Sequence, residues 1–325
     1  MINSSVSISD VFSAARRIYP IAKVTPLISS SALSRQFKAE SLHFKAEMMQ
    51  ETGSFKIRGA ANRILSLADD EKKRGVITFS TGNHGRAVAY VSHTCQIPAT
   101  VCVSKRVPSY RVKSIEALGG NVVQKGEGQD DAEKEYEKLR DEKNLIPVVP
   151  FDDPFVAAGQ GTISLEIYNQ LPQIDTLIVP LSGGGLLGGM AMAIKSIKPS
   201  VRVIGVSIAR SPAMLESVKA QKVVQVEEKD TLADSLLGGI GFDNRYTLDL
   251  VSRYVDEHVV VDEEEIAEAM RYLFYNHGIV VEGASATSLA AIQKGLIDIE
   301  GCNAVMPLTG RNVDFEKYFS VIHNR

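Results

Sequence analysis

The sequence predicts an α/β protein of two lobes, each a mostly parallel, twisted sheet flanked by helices. Three observations carry that reading. Short β-branched runs alternate with amphipathic stretches along the chain, as in βαβ units. Two of those runs lead straight into glycine-containing turns followed by helical patterns. A proline-rich apolar stretch, NLIPVVPFDDPF at 144–155, reads as a crossing between lobes. The 325 residues suit two lobes. Residues 1–70 and 151–325 are expected to form the larger lobe and 71–150 a smaller, mobile one.

The elements follow in order. SLHFKAEM (41–48) reads as the first buried strand. In TGSFKIRGAANRILSLADD (52–70), apolar residues at 57, 60, 61, 64, 65 and 68 mark one face of a helix, with Ser54 as its N-cap. VITFS (76–80) is a strand that turns through Thr-Gly-Asn into a helix with apolar positions 87, 88, 91 and 95. ATVCVS (99–104) and NVVQK (121–125) are further strands. GEGQDDAEKEYEKLRDEK (126–143) is almost wholly polar and reads as a solvated helix, with i,i+4 spacings among its Glu and Lys residues. TLIVPL (176–181), VRVIGVSI (201–208) and CNAVMPL (302–308) complete the strands. Asp262 and Glu265 form a D-x-x-E start signal for a helix that should end near Gly278.

Composition narrows the function classes. The net charge of -3, with no basic stripe, argues against nucleic acid as a partner. No apolar run reaches the ~20 residues of a membrane span. The opening MINSSVSISDVFSAARR lacks the apolar core of a signal peptide, so a cytoplasmic protein is expected. The three cysteines, Cys95, Cys102 and Cys302, form no CxxC pair, and Cys95 and Cys102 fall in segments that read as buried. The six histidines show no metal spacing, and no metal site is expected.

Three loops could carry chemistry. Lys56 falls in the first turn of its helix, where a cation is mildly disfavoured. Burial would lower its pKa further, towards a neutral amine that can attack a carbonyl. Alone, a surface lysine that snorkels is the simpler reading, and only context raises the functional one. Ser80, Thr81, Asn83 and His84 crowd a second helix start, where free N–H groups suit a small carboxylate, although ordinary capping by Thr81 or Asn83 is the simpler reading. Ser182, Gly183, Gly184 and Gly185 lie between a strand and a helix and could cradle a phosphate, or simply form a tight turn. An amine, a phosphate cup and a carboxylate cup together suit pyridoxal 5'-phosphate acting on an amino acid.

TGSFKIRGA, STGNHGRA, AGQGTISLEI, PLSGGGLLGG and TGRNVD, in that order over residues 52–314, resemble the fold-type II pyridoxal-phosphate enzymes of the threonine dehydratase and serine racemase group. The resemblance implies a tryptophan-synthase-β-like fold whose larger lobe binds the cofactor. It implies that Lys56 forms the internal aldimine and moves the Cα proton. Phe55 would lie beside the ring, Asn83 would bond its 3-hydroxyl, and Glu282 would approach its edge. Thr309 would face the pyridine nitrogen, and Ser182, Gly183, Gly184 and Gly185 would hold the phosphate. Ser80, Thr81, Asn83 and His84 would receive the substrate carboxylate.

The activity implied is a dehydratase, or ammonia-lyase. It would convert a small β-hydroxy amino acid of the L-threonine or L-serine type through an aminoacrylate to a 2-oxo acid and ammonia. Thr81 stands where serine racemases place a serine that delivers the second proton, so racemisation is an alternative. Ser207 and Ala213 replace the carboxylates with which racemase-like members hold a divalent cation. No regulatory extension follows residue 325, so feedback by isoleucine through such a domain is not expected. STGNHGRA, VIGVSIAR, TLADSLLGGIGFDNR and TGRNVD look like the dehydratase associated with hydroxyectoine utilisation, with Arg86 and Arg311 part of the likeness. A hydroxyectoine-derived substrate or 3-hydroxyaspartate is thus a further alternative, and a catalytically silent amino-acid-binding protein is the alternative from another class. The resemblance also implies a homodimer or homotetramer.

Overall fold

The structure, a computed structural model, describes residues 6–323. In chain order its strands are β1 (Leu27–Ser29), β2 (Ser41–Lys45), β3 (Val76–Phe79), β4 (Ala99–Val103), β5 (Asn121–Gln124), β6 (Ile146–Pro147), β7 (Thr176–Pro180), β8 (Arg202–Ile208), β9 (Glu257–Val261) and β10 (Asn303–Pro307). They form a six-stranded sheet in the order β1-β2-β10-β7-β8-β9 and a four-stranded sheet in the order β5-β4-β3-β6. Every pairing is parallel except β1 with β2.

The helices are α1 (Ile8–Ile18), α2 (Ser31–Gln36), α3 (Lys56–Leu65), α4 (Asp69–Arg74), α5 (Asn83–Thr94), α6 (Ser109–Glu116), α7 (Gln129–Lys143), α8 (Pro154–Gln170), α9 (Gly185–Ile197), α10 (Ala213–Ala220), α11 (Thr247–Tyr254), α12 (Glu263–His277), α13 (Gly283–Gln293) and α14 (Phe315–His323).

Parallel strands covered on both faces read as unbroken apolar runs, and β7 is buried along its whole length. One face of the large sheet packs Phe44, Ile204 and Met306 against Ile266 and Leu273 of α12 and Leu289 of α13. The other packs Leu177, Val179 and Val203 against Ile163 of α8, Met190 of α9 and Val251 of α11. Beside the small sheet, Ile57 and Ile64 of α3 meet Val88 and Val91 of α5 together with Val76 and Ile146.

Each strand expected from sequence forms, with its ends trimmed. Three more appear. β1 and β6 are too short to show a period, and β9 is an edge strand only partly buried. Asp262 and Glu265 make the expected capping box, and α12 ends on Gly278 at φ +63. Two expectations need correction. Ser54 is not the N-cap of α3; it pairs with Gly310 in an isolated bridge, while Phe55 N–H donates to the Thr309 carbonyl (3.0 Å). The helix is therefore anchored on the chain leaving β10 rather than by a side-chain cap. α7 is not wholly solvated either, because Ala132 and Tyr136 are buried, Tyr136 against Ile77 and Cys102. Cys102 is buried as expected, but Cys95 only in part.

A cluster of buried charges fixes α3. The Arg58 guanidinium donates to Glu47 (2.7 and 2.8 Å), to Glu166 (2.6 and 2.9 Å), to Thr162 Oγ1 (3.1 Å) and to the Lys23 carbonyl (3.1 Å). Lys45 adds a bond to Glu166 (2.5 Å). Burial would raise the Glu47 pKa, but Arg58 wins and holds it below the usual carboxylate range. The cluster ties the first turn of α3 to the end of β2 and to α8.

Candidate active site

Five chain segments converge beyond the carboxyl ends of β3, β7 and β10, where open parallel sheets bind ligands. Lys56 is the first residue of α3, with its Nζ 2.9 Å from the Pro150 carbonyl and 5.3 Å from the Phe55 ring centre. Burial pushes its pKa down from 10.5 to about 8, against a smaller opposing pull from Glu282. Thr52 Oγ1 and Ser54 Oγ, just before it, are buried without hydrogen-bond partners.

The loop after β3 brings Ser80, Thr81, Asn83 and His84 to the start of α5, which no side chain caps. Ser80, Thr81 and Asn83 are half-buried. The Asn83 amide donates to both oxygens of Glu282 (3.0 and 2.8 Å). His84 is turned the other way: its ring is buried, with Nε2 2.8 Å from the Val148 carbonyl. Burial, and then the Lys56 charge, lower its pKa to about 3, so the ring is neutral. The backbone of residue 84, not its ring, is what the first turn of α5 offers an anion.

Glu282 precedes α13 and accepts from Asn83, from Ser235 Oγ (3.2 Å) and from the Asn312 N–H (2.8 Å). Burial outweighs these donors and raises its pKa to about 7. Thr309 is buried beside it, with Oγ1 2.9 Å from Ser285 Oγ.

Ser182, Gly183, Gly184 and Gly185 form the turn from β7 into α9. Gly184 sits at φ +83, where a side chain is strained, and a Cβ on Gly183 would lie 2.5 Å from the Phe151 ring. No side chain caps α9, and Gly188 N–H is the first to bond back, to the Gly184 carbonyl (2.7 Å). The N–H groups before it lack intrahelical acceptors. A glycine turn with free N–H groups, a lysine whose pKa is lowered to about 8 and orphaned hydroxyls just before it fit pyridoxal phosphate.

The model of the family "Pyridoxal-phosphate dependent enzyme" matches residues 18–310. The chain belongs to the pyridoxal-phosphate-dependent enzymes. Among curated members of that family, a putative threonine dehydratase of Sinorhizobium fredii is 40% identical over 320 residues, covering 98% of this chain and 96% of the relative. An L-threonine ammonia-lyase of Thermotoga maritima is 38% identical, covering 98% of this chain and 78% of that one. Of solved structures, maize serine racemase superposes with a TM-score of 0.91 at 32% identity, over 98% of this chain and 97% of its own. The fold is thus the fold-type II arrangement, with threonine dehydratases and serine racemases as neighbours, and pyridoxal phosphate is the cofactor.

Sequence reasoning missed Asn312, Ser235, Ser285 and the 148–152 segment. Val148 and Pro150 act through backbone carbonyls, which carry no residue signature. Asn312 lay inside the quoted TGRNVD but had no partner until the fold brought Asn83 to it. Arg86 is half-buried with its Nε lacking a partner, and Arg311 is exposed.

Proposed function

We propose that this protein is a pyridoxal-phosphate-dependent dehydratase, an ammonia-lyase that converts a small β-hydroxy amino acid of the L-threonine or L-serine type to a 2-oxo acid and ammonia. The observation that carries the reading is the buried Lys56, its pKa lowered to about 8, on the Pro150 carbonyl next to Phe151, whose ring packs on the uncapped glycine turn. When bound, the cofactor supplies an aldehyde and a conjugated ring that accepts electrons from the substrate's Cα–H bond. Lys56 is the amine that takes up the cofactor and the base that moves the Cα proton. Ser182, Gly183, Gly184 and Gly185 would hold the phosphate through backbone N–H groups. Phe55 would lie beside the ring, Asn83 would donate to its 3-oxygen and Glu282 would border its edge. Thr309 would offer the ring nitrogen a neutral hydroxyl, which cannot keep it protonated as an aspartate would. Ser80, Thr81, Asn83 and the N–H of His84 receive the substrate carboxylate. The unit at 71–150 closes on the substrate and excludes water. The protein acts in the cytoplasm as a homo-oligomer.

The test combines chemistry with turnover. Borohydride treatment of the purified protein should fix the cofactor on Lys56, and L-threonine or L-serine should yield 2-oxo acid and ammonia. Unchanged turnover in Lys56→Ala would sink the assignment. Thr81 stands where serine racemases place the serine that delivers the second proton and keeps its hydroxyl, so D-serine should be sought in the same reactions. Arg86, one helical turn beyond Asn83 with its Nε unpartnered, favours a substrate with a further polar group, such as 3-hydroxyaspartate or a hydroxyectoine-derived amino acid. A panel of these, scored by 2-oxo acid, tells them apart.

A further inference from the structure

We propose that Asn312 is a positioning residue that fixes which way the Asn83 amide points. Asparagine oxygen and nitrogen are told apart only by their partners, and here the partners decide. The Thr52 carbonyl can only accept, so the Asn312 atom 2.9 Å from it is the amide nitrogen. That nitrogen is also 2.6 Å from the Asn83 side chain, which must therefore turn its oxygen towards it. The Asn83 nitrogen is left facing the opposite side, where the Glu282 carboxylate accepts it. Asn312 secures this end as well, because its backbone N–H donates to Glu282 (2.8 Å). Its side chain also fills the space beside Gly53, where a Cβ would lie 2.6 Å from the amide.

The order of donors thus runs from a backbone carbonyl through two amides. Without the first amide, Glu282 alone would hold the Asn83 nitrogen on that side, and nothing would hold the Asn83 oxygen at the other end. A flipped Asn83 would set an acceptor where the proposed function needs a donor. The inference rests on that reading, in which Asn83 bonds the cofactor's ring oxygen.

The test measures pyridoxal phosphate affinity of the stripped protein and the pH midpoint of the bound cofactor's visible absorbance. The variants are Asn83→Ala, Asn312→Ala, Asn312→Asp and the Asn83→Ala/Asn312→Ala pair. Asn312→Asp keeps the shape but offers Thr52 and Asn83 no N–H. Each Asn312 variant should weaken affinity about tenfold, as expected for a lost or reversed hydrogen bond, and move the midpoint in the same direction as Asn83→Ala. The double variant should be no worse than Asn83→Ala alone. A purely structural role would lower the melting temperature and leave the midpoint in place, which would overturn the inference. So would fully additive losses. If Asn83→Ala itself leaves affinity and midpoint unchanged, the reading of Asn83 falls first and the inference with it.

Discussion

Replacing Lys56 by methionine should make the cofactor-free protein more stable. The ammonium is desolvated in the folded chain, where its pKa falls from 10.5 to about 8. At about 1.36 kcal/mol per pH unit, that difference costs folding about 3 kcal/mol, or nearer 2 because part of the side chain remains accessible. The sign follows from proton binding. Below pH 8 both folded and unfolded chains hold the proton, and the full cost is present. Between 8 and 10.5 only the unfolded chain holds it, so stability rises with pH and the cost is relieved. Methionine has similar volume and no charge, so it should remove the cost at every pH. Urea denaturation of the stripped wild type and Lys56→Met, at pH 7 and at pH 10, measures the gap. We expect about 2–3 kcal/mol in favour of methionine at pH 7 and a much smaller gap at pH 10. Equal stabilities at pH 7, or a gap independent of pH, would refute the argument that burial holds this amine near neutrality.

Three other outcomes follow from the geometry. Arg58→Ala leaves the buried Glu47 without its hydrogen-bonded cation and Glu166 with Lys45 alone, and should destabilise the protein by about 3–5 kcal/mol in thermal or urea denaturation, with Arg58→Lys a poor rescue because it cannot fork to two carboxylates. Gly183→Ala pushes a methyl into the Phe151 ring and should weaken pyridoxal phosphate binding about tenfold or more, while Phe151→Leu in the same chain should recover part of it. Asp152 accepts the N–H groups of Arg245, Tyr246 and Thr247 at the start of α11, so Asp152→Ala should cost about 1–2 kcal/mol of stability.

Much of the architecture was legible because parallel strands and their helices write strong periods into the sequence, as in TLIVPL and VRVIGVSI. The tight turn at 182–185 was legible because its glycines are required by backbone conformation and by Phe151. The Ser54 cap was misread because local propensity gave way to the bridge with Gly310, some 250 residues away in sequence. His84 looked like a free donor, yet the fold spends its ring on a carbonyl. Asn312 and Ser235 could not be read at all: each acts through a partner brought to it by tertiary folding.

The crossing at 148–152 has a consequence for recombining such proteins. Within five residues it receives His84 on the Val148 carbonyl and Lys56 on the Pro150 carbonyl, seats Phe151 against the glycine turn and caps α11 with Asp152. A chimera that exchanges the four-stranded sheet for a homologue's would have to carry this stretch intact and make its splice beyond residue 152. A one-residue insertion here would throw four anchorages out of phase together. The same insertion in the exposed segment around 227–230 touches none of them.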